Sequence, residues 1–119
     1  DVVSLHCPLT EETRGLMNRD AFGKMKDSSF LINTARGAVV DTAALLEALE
    51  SGKVAGAGLD VFPDEPHVPA ALLLHDRVVC TPHVGTNTAL TRFEMAQACC
   101  MQILDVFSGK RPQNIVNGL

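Results

Sequence analysis

Three side chains in this sequence carry chemistry that an active site could use: Arg36, Glu65 and His83. A guanidinium is a planar fork that can hold a carboxylate through two parallel hydrogen bonds. An imidazole titrates near neutrality and can give or take a proton. A carboxylate beside it would orient the ring and favour its charged form, and Asp64 competes with its neighbour Glu65 for that place. His6, His67 and His75 are read as ordinary structural or surface histidines. Tyr and Trp are absent, which excludes every mechanism with a tyrosine phenol as proton donor. Cys7, Cys80, Cys99 and Cys100 are expected to be reduced packing thiols. His6-Cys7 with Cys80-x-x-His83 looks superficially like a zinc set, but adjacent strand residues point to opposite faces and chelate poorly, so no metal is expected.

These groups can meet only if the fold gathers them, and the sequence alternates strand and helix in a way that does so. Residues 1–5 (D-V-V-S-L) read as a short apolar strand. Asn18 or Asp20 opens a helix through Phe22 and Met25, and Phe30–Asn33 is a buried strand. Asp41 caps a helix with Gly52 just past its end. Val54–Val61 is a third strand, whose two glycines permit close backbone approach. A loop with Pro63, Pro66 and Pro69 follows, then a strand over Val78–Thr81. Asn87 or Thr88 opens a long helix to about Ser108, stopped by Gly109 and Pro112, and Met95, Cys99, Cys100 and Met101 on it are read as packing residues.

Such alternation implies an α/β fold with a mostly parallel sheet and crossovers on both faces. In open parallel sheets, ligands bind beyond the carboxyl ends of the strands. His6-Cys7-Pro8, Asn33 to Gly37, Asp60 to Pro66 and Pro82 to Thr86 all fall there, so guanidinium, carboxylate and imidazole share one rim.

With 119 residues, 46% apolar and a net charge of −4, the chain can form a packed core. It has no Lys/Arg cluster, so no nucleic-acid partner is expected. No apolar run approaches the roughly 20 residues of a membrane span, and no secretory leader is visible. A start inside a strand and a tail without a partner suggest part of a larger protein.

N-T-A-R-G at 33–37, G-L-D-V-F-x-x-E-P at 58–66 and T-P-H-V-G-T at 81–86 resemble the signature segments of the D-isomer-specific 2-hydroxyacid dehydrogenases. H-C-P-L-T-x-x-T from His6 to Thr13 and M-K-x-x-x-F-L-I-N from Met25 match as well, so the resemblance covers essentially the whole chain. P-H-V-G-T is nearer the glyoxylate, hydroxypyruvate and phosphoglycerate enzymes than the D-lactate ones.

The resemblance implies that residues 1–85 are the C-terminal half of an NAD(P)-binding domain, the second half of a Rossmann-type parallel sheet. Residues 86–119 would be the crossover helix and tail returning to a substrate domain. It implies an NAD(P)-dependent oxidoreductase interconverting a small 2-oxo acid and a D-2-hydroxy acid by hydride transfer. Arg36 would anchor the acid, His83 would be the acid/base and Glu65 would support it. Formate dehydrogenases of the superfamily resemble this pattern with glutamine in place of the acid, so Glu65 implies carbonyl/alcohol chemistry. Pro8, Thr13, Thr34, Ala35, Arg36, Asp60, His83 and Gly85 would line the cofactor, Asp60 at its nicotinamide end and His6 through its backbone. NAD and NADP stay open, since the G-x-G-x-x-G turn and the residue that reads the adenosine ribose are absent from this sequence. Gly56-x-Gly58 does not replace that turn, because it lies inside a strand and opens no helix. A cytoplasmic homodimer is the expected form. The alternative function is a dinucleotide-sensing corepressor or scaffold of the same fold.

Overall fold

The four strands β1 (Val2–Leu5), β2 (Ser29–Asn33), β3 (Val54–Leu59) and β4 (Val78–Cys80) form one sheet in sequence order, every pairing parallel. Helices α1 (Arg19–Lys24), α2 (Thr42–Glu50) and α3 (Ala70–Leu73) connect them, and α4 (Ala89–Phe107) follows β4. This computed structural model describes residues 1–116. They fall into two compact units, one ending at Gly85 and the other beginning at Thr86.

Local chemistry explains the helices. Asn18, rather than Asp20, caps α1 by accepting the Ala21 N–H, while Asp20 and Lys24 sit in the first and last turns where they suit the helix dipole. Asp41 accepts the N–H groups of Ala43 and Ala44 and so opens α2. Ala44, Leu45, Ala48 and Leu49 then fall on one face at helical spacing and are buried. Arg19 and Glu47 form an ion pair between α1 and α2. The proline-rich segment, expected to be loop throughout, contains α3 because Leu72 is drawn into the core at 2% exposure. Residues 60–61 leave the third strand early, for reasons that belong to the site.

Phe22, Leu31, Leu45, Leu49 and Leu72 are fully buried in one cluster with Leu5, Val54, Ala57 and Leu59. Each such side chain stabilises the fold by about 1.5–3 kcal/mol before the entropy of ordering it is counted. The cluster lies on one face of the sheet. On the other face, Val2 pairs with Phe30, and Val79 pairs with Gly58, two residues along from Gly56, the partner of Phe30; Val2, Phe30 and Val79 remain exposed. Crossovers on both faces were expected from the sequence, and within this unit the core forms on one. The physical reason is the strand order: successive right-handed crossovers stepping in one direction lay their helices on the same side.

Gly56 and Gly58 serve packing within the sheet. A Cβ on Gly56 would stand 3.0 Å from the Arg77 carbonyl oxygen and 3.3 Å from the Phe30 ring, and one on Gly58 would stand 3.0 Å from the Ile32 Cδ1.

In the second unit Thr88, rather than Asn87, caps α4 by accepting the Thr91 N–H at 3.1 Å. Gly109 takes a φ of 75° just past the helix end, a conformation that suits glycine. None of the residues of α4 is buried, so Met95, Cys99, Cys100 and Met101 are exposed rather than packed. Helical spacing marks an apolar face, but only a covering surface makes it a core. The tail expected to return to a substrate domain extends to residues 117–119, which lie outside the described residues. No helix is long and apolar enough to cross a membrane among the described residues.

Candidate active site

Strand register sets the site. Leu5, Asn33, Leu59 and Cys80 are successive partners across the sheet, so all four strands end at one level. The segments beginning at His6, Thr34, Asp60 and Thr81 therefore leave from the same rim. Between the first two lies an open cleft of about 550 Å³ lined by His6, Cys7, Pro8, Leu9, Thr34, Ala35 and Arg36. Thr13 braces its wall: its hydroxyl donates to the Pro8 carbonyl at 2.6 Å and accepts the Thr10 N–H at 2.8 Å. Across the cleft the Thr34 hydroxyl lies 3.4 Å from His6 Nδ1, while His6 Nε2 is 2.8 Å from the Ser4 hydroxyl.

Arg36 stands in a turn organised by the last residue of β2. The buried Asn33 accepts the Ala35 N–H through Oδ1 at 3.0 Å and donates from Nδ2 to the Arg36 carbonyl at 3.1 Å. The exposed guanidinium of Arg36 donates from Nη1 to the Ala35 carbonyl at 2.7 Å, and its other N–H groups have no protein partner among the described residues.

The loop after β3 holds the carboxylate. Glu65 accepts the Phe62 N–H through Oε1 at 3.0 Å, and its Oε2 lies 2.7 Å from Nδ1 of His83. Of the two adjacent acids it is Glu65, the one the resemblance implied, that meets the ring. The His83 ring and the Phe62 N–H hold the Glu65 carboxyl below its usual range, and the charge of Arg36 acts in the same direction.

Asp60 is the hub behind these groups. Its Oδ1 accepts the Thr81 hydroxyl at 2.5 Å and the Val84 N–H at 2.9 Å, and its Oδ2 accepts the Gly85 N–H at 2.9 Å. Its backbone N–H donates to the Asn33 carbonyl at 3.0 Å and its carbonyl accepts the His83 N–H at 2.9 Å. Burial works against the charged form, but the Thr81 hydroxyl, the two N–H groups and His83 outweigh it, so the carboxyl is held below its usual range. These bonds carry His83 into the left-handed region at φ 53°, which is uncommon for a residue with a side chain. A Cβ on Gly85 would approach Asp60 Oδ2 to 3.2 Å, so glycine there lets the backbone reach the carboxylate.

Comparison with known proteins decides the family. Residues 1–85 match D-isomer specific 2-hydroxyacid dehydrogenase, NAD binding domain. The chain belongs to the D-isomer specific 2-hydroxyacid dehydrogenase family. It is 47% identical over 118 residues to a glyoxylate reductase of Thermofilum pendens, covering 98% of this chain and 35% of that protein. It is 44% identical over 117 residues to D-3-phosphoglycerate dehydrogenase of Bacillus subtilis, covering 98% of this chain and 22% of that one. The crystal structure of a glyoxylate reductase from Paecilomyes thermophila superposes with a TM-score of 0.92 at 40% identity, covering 98% of this chain and 36% of that one. The chain thus spans about a third or less of the length of these relatives.

The matched family model is an NAD binding domain, and solved relatives are complexed with NAD or with NADPH. The carboxylate of Asp60 has four acceptor positions, of which three are filled from within the chain. Pro8, Thr34 and Ala35 line the cleft directly. Thr13 acts on its wall rather than facing it, and Gly85 bonds to Asp60. Among the described residues no group of three or more His, Cys, Asp or Glu side chains could hold a metal ion. Burial pushes the Cys80 thiol up, as suits a packing residue.

Sequence reasoning assigned no role to the side chains of Asn33, Gly37 and Thr81. Asn33 left one signal, an amide at the end of an otherwise apolar strand. Gly37 was visible only as the last residue of N-T-A-R-G, because its constraint comes from a segment distant in sequence: a Cβ there would lie 2.0 Å from the Phe62 carbonyl carbon.

Proposed function

We propose that this chain is the nicotinamide-side part of an NAD- or NADP-dependent oxidoreductase that interconverts a small 2-oxo acid and a D-2-hydroxy acid. The observation that carries this reading is the 2.7 Å contact between His83 Nδ1 and Glu65, on the rim that also carries Arg36. With Nδ1 directed to the carboxylate, Nε2 is the atom left to hold the proton exchanged with the substrate oxygen. Glu65 orients the ring through the contact at Nδ1. Arg36 binds the substrate carboxylate through its planar fork and polarises the adjoining carbonyl. Pro8, Thr34 and Ala35 form the wall for the nicotinamide, Thr13 supports that wall, and Asp60 with Gly85 receives the carboxamide. When bound, the cofactor supplies the reducing equivalents for the substrate's C2.

Glyoxylate and hydroxypyruvate are the substrates to try first, given the names of the relatives above. The same reading extends to a homodimer, and to a cytoplasmic location on the ground of its free cysteines. The dinucleotide-sensing alternative finds no support in the named relatives. The deciding experiment is turnover of NADH and NADPH with glyoxylate or hydroxypyruvate by the complete protein. Turnover abolished by His83→Ala is the expected result. Tight NADH binding with negligible turnover of any 2-oxo acid would overturn the reading.

A further inference from the structure

We propose that Asn33 is the positioning residue of Arg36, an inference that rests on the assignment of Arg36 as the substrate's carboxylate anchor. Asn33 is 1% exposed at the end of β2, and its amide bonds on both sides of the arginine. Oδ1 takes the Ala35 N–H at 3.0 Å, before the arginine's own backbone, and Nδ2 donates to the Arg36 carbonyl at 3.1 Å, after its Cα. The orientation of the amide is determined by its partners, because the reverse would set NH₂ against N–H and oxygen against carbonyl oxygen. Arg36 is therefore held by a two-point clamp at its backbone, while its long side chain stays exposed.

The same residue connects the arginine to the proton-holding side of the site. The Asn33 carbonyl accepts the Asp60 N–H at 3.0 Å, and the Asp60 carbonyl accepts the His83 N–H at 2.9 Å. Its backbone thus sets the level of the imidazole, and its side chain sets the level of the guanidinium. A precise distance between the two is what a small 2-oxo acid demands, since its carboxylate and carbonyl are adjacent. Serine is too short to span both partners. Aspartate keeps the acceptor for Ala35 but sets a carboxylate oxygen against the Arg36 carbonyl.

A double-mutant cycle in the complete protein tests this, with Asn33→Ser, Arg36→Ala and the pair assayed on glyoxylate. In the wild-type background Asn33→Ser is expected to lower kcat/KM on the order of tenfold, mainly through KM, with the NADH dissociation constant within about twofold of wild type. In the Arg36→Ala background the same substitution is expected to change kcat/KM by less than about twofold, because the residue it positions is gone. If Asn33→Ser does not fold, Asn33→Asp carries the same cycle. Equal losses in both backgrounds, a parallel weakening of NADH binding, or no loss from the Asn33 substitution would each overturn the inference and leave Arg36 in place. An Arg36→Ala variant with unchanged kcat/KM would overturn the parent reading and the inference together.

Discussion

Gly37 and Phe62 approach so closely that a methyl group on Gly37 would stand 2.0 Å from the Phe62 carbonyl carbon and 2.3 Å from its oxygen. This contact joins the turn that carries Arg36 to the loop in which the Phe62 N–H donates to Glu65. Both sides of it are backbone, so no rotamer change can make room.

Gly37→Ala is accordingly expected to be destabilising by about 1–3 kcal/mol or more. Thermal unfolding checks it: the midpoint should fall by several degrees, and an unchanged midpoint would mean the two segments can separate freely.

Arg36→Lys keeps the charge and loses the fork. In the complete protein kcat/KM for a 2-oxo acid should fall on the order of tenfold or more, because one ammonium cannot grip a carboxylate bidentately. Steady-state kinetics on glyoxylate decide it, and retention of wild-type efficiency removes Arg36 from the site.

Glu65→Gln replaces the anionic partner of His83 with a neutral amide of the same size. The expected loss is mainly in kcat, on the order of tenfold to a hundredfold, with a smaller change in KM than Arg36→Lys produces. Equal kcat values for variant and wild type from pH 6 to pH 9 would show that the 2.7 Å contact does not support the chemistry.

The Asp60 carboxyl titrates below its usual range in the folded protein, so its contribution to stability has a defined sign. A depressed folded value stabilises the fold above the unfolded carboxyl value of about 3.9, and that stabilisation is lost as pH falls through the folded value. Asp60→Asn should therefore unfold more easily than wild type at pH 7, and the gap should narrow as pH drops below about 4. Urea midpoints at pH 7 and pH 3 measure it. A gap that stays constant or widens toward acid would contradict the charge assignment.

The 119 residues expressed alone should bind NADH without saturation at low micromolar concentration, although Arg36, Glu65 and His83 are all present. No glycine-rich turn opening a helix exists in the sequence to receive the pyrophosphate. Strand β1 also lies at one end of the sheet order, and an open strand edge promotes self-association. Titration calorimetry and sizing of the isolated chain check both points; saturable low-micromolar binding would refute this account of cofactor recognition.

The sequence by itself determined the features that depend on near neighbours. Asp41 caps its helix because the N–H groups it accepts lie two and three residues on, and the chain's period shows where that helix begins. The four strands were legible from short apolar runs, and the motif residues Arg36, Glu65 and His83 were legible as one rim because parallel strands place their carboxyl ends together. Only the tertiary structure decided that Thr13 braces a wall, and that Asn33 and Asp60 carry the arginine and the histidine on a shared series of hydrogen bonds. It also decided that the core occupies one face of the sheet and leaves Phe30 and Val79 exposed on the other. The reason is physical: a cap or a turn is fixed by residues a few positions apart, whereas these contacts join segments whose approach depends on strand register and crossover direction, which no local pattern encodes.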